Sequence, residues 1–171
     1  MFGKQLLVLM GMIAAAIVVF LLWTRLPLLP FPTPVGDDAA TRIAFAAHWL
    51  LLPGLALLAG VLGLASRRFF VADAIDGTRT PESRSLEINL RYNQNTVEQV
   101  ILAAIAWSGL ALQLSHDRLT LIPALAILFL AARAIFWIGY LIAPWARALG
   151  FGLTFYPTVI AFVWLASRML A

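Results

Sequence analysis

The sequence predicts an all-α protein embedded in a membrane: a bundle of four helices with an additional membrane helix ahead of it. Three observations carry this expectation. Of 171 residues, 63% are hydrophobic and only 12% charged, far outside the range of soluble globular domains. Five long apolar segments recur, and each can cross a hydrocarbon core of roughly 30 Å as an α-helix rising about 1.5 Å per residue. No period-two alternation runs through them, which argues against a membrane β-barrel.

The first segment runs from about Gln5 to Trp23, behind Lys4. A signal peptide would also start with a charge and an apolar run. Trp23-Thr24-Arg25-Leu26-Pro27 is, however, a poor small-residue cleavage site, and the run is long for that role. Residues 1–34 are therefore expected to form a retained anchor and a linker, in which Pro27, Pro30, Pro32 and Pro34 cannot continue a helix. Residues 35–171 form the four-helix membrane domain.

Asp37 and Asp38 give the second span a polar start. That span runs from about Ile43 to Ala65. Its Ala56–Gly60 and Ala59–Gly63 pairs have the small-xxx-small spacing that lets helices approach in lipid, although Ala and Gly are common in membrane helices anyway. Ser66–Leu90 is the only long polar loop, with Asp73, Asp76, Glu82 and Glu87 set among arginines as a solvated face. The third span runs from about Asn95 to Leu114, the fourth from about Leu119 to Ala143, and the fifth from about Phe151 to Leu170. Short links near His116 and Pro144 make the last three antiparallel neighbours. His48 reads as a helix-contact residue and Gln113 as an interhelical hydrogen bonder.

The net charge of +4 reports topology rather than nucleic-acid binding, because the arginines cluster in one loop between apolar spans. A cytoplasmic amino terminus places Lys4, Arg67, Arg68, Arg79, Arg84, Arg91 and Arg147 inside. It leaves Arg25, Arg42, Arg118 and Arg168 outside. The carboxyl terminus is then outside, and a bacterial inner membrane is the expected setting. The chain has no cysteine, which excludes disulfides, thiolate metal sites and a cysteine nucleophile. His48 and His116 are far apart and lack a ligand pattern, so no metal site is expected.

Two polar groups stand against this apolar background. Arg91, Asn95 and Glu98, at i, i+4 and i+7, share one helical face at the mouth of the third span. Arg133 falls near the middle of the fourth, where an unpartnered arginine costs roughly 2.5–3.5 kcal/mol, and it shares a face with Trp137 and Tyr140. Glu98 lies roughly 10 Å from the cytoplasmic end of its helix, and Tyr140 and Arg133 lie roughly 5 and 15 Å from theirs. If the two faces meet, they build one polar pocket with Arg91 and Arg147 at its rim. Structural readings stand beside this one. Asn95 and Glu98 match a helix-capping variant, Arg133 and Glu98 could be a buried ion pair, and Trp137 and Tyr140 could be interface aromatics.

Arg91-x-x-x-Asn95-x-x-Glu98 resembles the signature of the MAPEG family, the membrane-associated proteins of eicosanoid and glutathione metabolism. Arg133, Tyr140 and Arg147 before Gly150-Phe151 are similar to that family's later motif. The likeness covers roughly His48 to the end, and the second to fifth spans match the family's four helices in order. It implies a homotrimer that binds glutathione between protomers on the cytoplasmic side. The glutathione thiolate would attack lipophilic electrophiles or reduce hydroperoxides. Arg91, Asn95, Glu98, Arg133 and Tyr140 would bind glutathione, and Arg147 and Tyr140 would serve the thiol. The family often has Ala-His where this chain has Tyr92-Asn93, and the first span lies outside the usual four-helix unit. The rival readings are a non-catalytic lipid-binding or accessory protein on the same scaffold, and a small transporter whose Arg133 and Glu98 line a polar path.

Overall fold

The computed structural model describes residues 2–25, 31–70 and 84–170, and every regular element among them is helical. In order these are α1 Phe2–Arg25, α2 Ala39–Trp49, α3 Leu51–Phe70, α4 Arg84–Gln113, α5 Leu121–Ile142 and α6 Ala148–Met169, with a 3-10 turn at His116–Thr120 before α5. The helices α2 and α3 act as one span, so five segments are long and apolar enough to cross a membrane. This is a multi-pass membrane bundle.

Asp38 caps α2 by accepting a hydrogen bond from the Thr41 amide at 3.0 Å, as the polar start implied. The second span is not the single helix expected, because it breaks at Leu50. Pro53 has no N–H, so the Trp49 carbonyl loses its usual donor one turn on. The amides of Leu50 and Gly54 still reach Ala46 and Leu50 at 3.0 and 3.1 Å, so the span continues past the break.

The third span begins about three turns earlier than its apolar run. Leu86, Ile88, Asn89 and Tyr92 are buried, which makes the polar start of α4 an amphipathic extension packed on its neighbours. Asn95 consequently lies inside a helix and caps nothing. The polar loop expected over Ser66–Leu90 shrinks from both sides. Pro27, Pro30, Asp73, Asp76, Arg79 and Glu82 lie outside the described residues.

A set of side chain to main chain bonds joins α3 to α4. Tyr92 Oη donates to the Ala56 carbonyl at 3.0 Å, Asn93 Nδ2 to Gly60 at 3.0 Å, and Asn89 Nδ2 to Gly63 at 3.4 Å. A Cβ on Gly60 would stand 2.5 Å from the Tyr92 ring, so only glycine permits this approach. The small-residue reading thus holds for Ala56, Gly60 and Gly63, while Ala59 is exposed. The core lies between α4 and α5, where Trp107 and Phe129 meet edge to face at 6.3 Å. The helix α1 lies against α6.

Beyond the C-terminal end of α4, Arg42 is buried and donates through Nη1 to the carbonyls of Ala111 and Leu114, at 3.0 and 2.7 Å. These are helix-end carbonyls that otherwise lack donors. Its Nε and Nη2 bond Asp37, whose carboxylate also meets His116 Nδ1 at 3.1 Å. His48 and Gln113 are both exposed, and among the described residues neither hydrogen-bonds a neighbouring helix.

Candidate functional site

Arg91, Asn95 and Glu98 front a cavity of about 780 Å³. Phe136 and Tyr140 of α5 line it too, with Trp145 and Arg147 from the following link and Lys4, Val8 and Met12 from α1. The two polar faces read from the sequence therefore meet. Of the residues singled out, Arg91, Asn95, Glu98, Tyr140 and Arg147 line the cavity, and Arg133 lies behind its wall.

Arg133 has no exposed surface. Its Nη1 donates to Asn95 Oδ1 and its Nη2 to Thr96 Oγ1, each at 2.9 Å. The guanidinium carbon sits 4.0 Å from the Phe136 ring centre and 5.2 Å from that of Tyr92. Aromatic faces and neutral oxygens take the place of a counter-ion, an arrangement that suits a weakly hydrated guanidinium. The ion pair with Glu98 is not formed. Thr96 faces Arg133 across the helix interface, whereas Glu98 points to the cavity and accepts from Gln94 Nε2 at 2.8 Å.

Arg147 is placed by a tight link. A Cβ on Gly139 would stand 2.7 Å from the Ala146 carbonyl oxygen, so the chain can turn back under α5 only past a glycine. Arg147 Nη1 donates to the Tyr140 hydroxyl, and the guanidinium carbon lies 4.5 Å from the ring centre. With its oxygen accepting, Tyr140 keeps its own hydrogen for another acceptor. Burial, and after it the positive charge of Arg91, hold Arg147 below the ordinary arginine value. Arg91 itself pairs with Glu87 at 2.6 Å, in an exposed contact of the weak i,i+4 kind.

Lys4, Arg91 and Arg147 thus face one carboxylate, Glu98, over a wall that includes Phe136 and Met12. Such a cavity suits an amphipathic anion. Sequence reasoning missed Lys4, whose helix cannot be placed from its own periodicity. It also missed Thr96, because a threonine in a helix carries no signal until its neighbour is known. Tyr92 and Asn93, where this chain departs from the family pattern, serve the α3 contact.

The MAPEG family model matches residues 41–167, from α2 almost to the end of α6. The chain belongs to the MAPEG family. Transmembrane protein 79 of Mus musculus is 28% identical over 166 residues, which are 95% of this chain and 41% of that protein. Transmembrane protein 79 of Bos taurus is 28% identical over 156 residues, 89% of this chain and 38% of the relative. The chain thus spans about two fifths of the length of these relatives. They are mammalian and lend no support to a bacterial setting. No solved structure matches. The MAPEG match leaves α1, and with it Lys4, outside.

Proposed function

We propose that this MAPEG protein binds glutathione in the cavity and uses it as a transferase or peroxidase toward lipophilic electrophiles or hydroperoxides. The observation that carries the reading is the grouping of Arg91, Arg147 and Glu98 around one opening with Tyr140 beside Arg147. Glutathione has two carboxylates and one ammonium, which match several cations and one carboxylate. When bound it supplies the thiolate that a chain without cysteine cannot. Arg91 and Asn95 would hold its acidic and amide groups, and Glu98 its ammonium. Arg147 and the free hydrogen of Tyr140 would hold negative charge at sulfur, lowering the thiol pKa. Arg133 would act through Asn95, fixing the orientation of its amide.

The proposal extends to a homotrimer with the cavity near protomer boundaries, a cytoplasmic amino terminus, and membrane lipids as the medium from which the lipophilic substrate enters. The deciding experiment is an ultraviolet difference spectrum recorded as glutathione is added to purified protein. A thiolate band that saturates supports the reading, and its absence removes it. Native mass spectrometry that finds only monomer would remove the trimer.

A specific observation favours a second reading, an accessory or lipid-binding protein. Arg91 is already paired with Glu87, and Arg133 is fully buried with both Nη groups bonded to Asn95 and Thr96, so part of the positive charge is turned away from a ligand. In that case the cavity would bind an anionic lipid with no thiolate formed.

A further inference from the structure

One wall of the cavity comes from outside the MAPEG match. It is α1, and its contact with α6 is closely built. A Cβ on Gly11 would stand 3.1 Å from the Leu149 amide nitrogen and 3.3 Å from the Ala148 Cβ. One turn on, Ala15 has no exposed surface, and a Cβ on Gly152 would fall 2.7 Å from its own. Val19 is buried along the same stripe. Small residues on both helices let the backbones approach, which is how helices associate in lipid.

The stripe continues past the start of α6. Lys4, Val8 and Met12, at i, i+4 and i+8, extend the face that carries Gly11 and Ala15, and all three line the cavity. Among the described residues Lys4 has no carboxylate within ion-pair distance. A lysine serving only as a topology anchor needs to be near a helix end, but it needs no particular face. Here its face is that of the cavity, with apolar side chains directly below it.

We infer that α1 is a ligand-binding wall, in which Lys4 contacts an acidic group of the bound molecule while Val8 and Met12 hold its lipophilic part. The inference deepens the anion-binding reading above and rests on it. It narrows the ligand class to amphipathic acids whose acidic and apolar parts both reach α1. It also gives the cavity a wall contributed by the chain's own added helix.

The test uses the full chain in nanodiscs, titrated calorimetrically with glutathione and with S-hexylglutathione. Lys4→Gln should weaken both by about ten- to a hundredfold, the range of one charge-assisted hydrogen bond. Lys4→Arg, which keeps the charge, should retain most of the affinity. Met12→Trp fills the cavity and should weaken S-hexylglutathione about tenfold more than glutathione. Met10→Trp, on the opposite and exposed face, should change neither. Wild-type affinities for both probes in Lys4→Gln and Met12→Trp would overturn the inference. If the wild type binds neither probe, the glutathione reading fails, and oleate becomes the probe. Weaker oleate binding by Lys4→Gln then sustains the wall, and unchanged or absent oleate binding overturns it.

Discussion

Arg133 and Asn95 share a hydrogen bond of 2.9 Å that ties a fully buried charge of the bundle to the lining of the cavity. The amide cannot turn toward a ligand without giving up one of the two hydrogen bonds of a fully buried guanidinium.

Asn95→Leu should therefore destabilise the fold as well as the site. It leaves Arg133 Nη1 without its acceptor, at a cost of about 1.5–3 kcal/mol. Thermal unfolding in detergent measures this directly. An unchanged midpoint would show that Arg133 finds another partner.

Glu98→Gln should behave in the opposite way. Glu98 is exposed and accepts a hydrogen bond from Gln94, so stability should stay within about 0.5 kcal/mol. Glutathione affinity should fall by about one to two decades, for loss of the partner to its ammonium. Loss of stability with binding intact would assign Glu98 to packing.

Arg147→Ala bears on the thiol. Removing a guanidinium from beside a thiolate raises the thiol pKa, so the thiolate band should appear at higher pH. A displacement of about one unit corresponds to about 1.4 kcal/mol of lost charge stabilisation. Tyr140→Phe should displace it in the same direction by less, because Arg147 remains. A pH titration of the difference spectrum reads both.

Asp37 predicts an acid-sensitive contribution at the other end of the bundle. Hydrogen bonding from Arg42, and then from His116, holds its carboxyl below the usual value. A lowered carboxyl contributes stability that is fully present above the ordinary carboxylate range. That stability is lost as pH falls through the lowered folded value. The thermal midpoint of the wild type should thus drop in that acid window more than that of Asp37→Asn. Parallel pH profiles would show that the Asp37 contacts add nothing.

Much of the fold was legible because membrane spans are a matter of length and apolar content, which a sequence displays without its neighbours. The meeting of the Arg91–Asn95–Glu98 face with Tyr140 and Arg147 was legible too, from helical spacing and matched depth. What escaped has a common physical cause. The start of α4 is polar on one side, so an apolar run reads its beginning at Asn95 although Leu86 and Ile88 are buried. One reading pairs Arg133 with Glu98, but oxygens of Asn95 and Thr96 with two aromatic faces surround it instead, and neutral partners carry no charge pattern in a sequence. Asp37 looked like half of a helix start, because its bonds to Arg42 and His116 depend on how the chain returns.

The bonds from Tyr92, Asn93 and Asn89 to the carbonyls of Ala56, Gly60 and Gly63 have a mechanical consequence. Their acceptors lie on one face of α3 over about two turns, so sliding α3 along α4 by a fraction of a turn would break all three together. Breathing that admits a bulky molecule is therefore expected at α1 and the start of α6, where, among the described residues, the helices meet by van der Waals contact with no side-chain hydrogen bond between them. Hydrogen exchange should find the amides of α1 opening well before those of α3, and the reverse order would place the door on the other side.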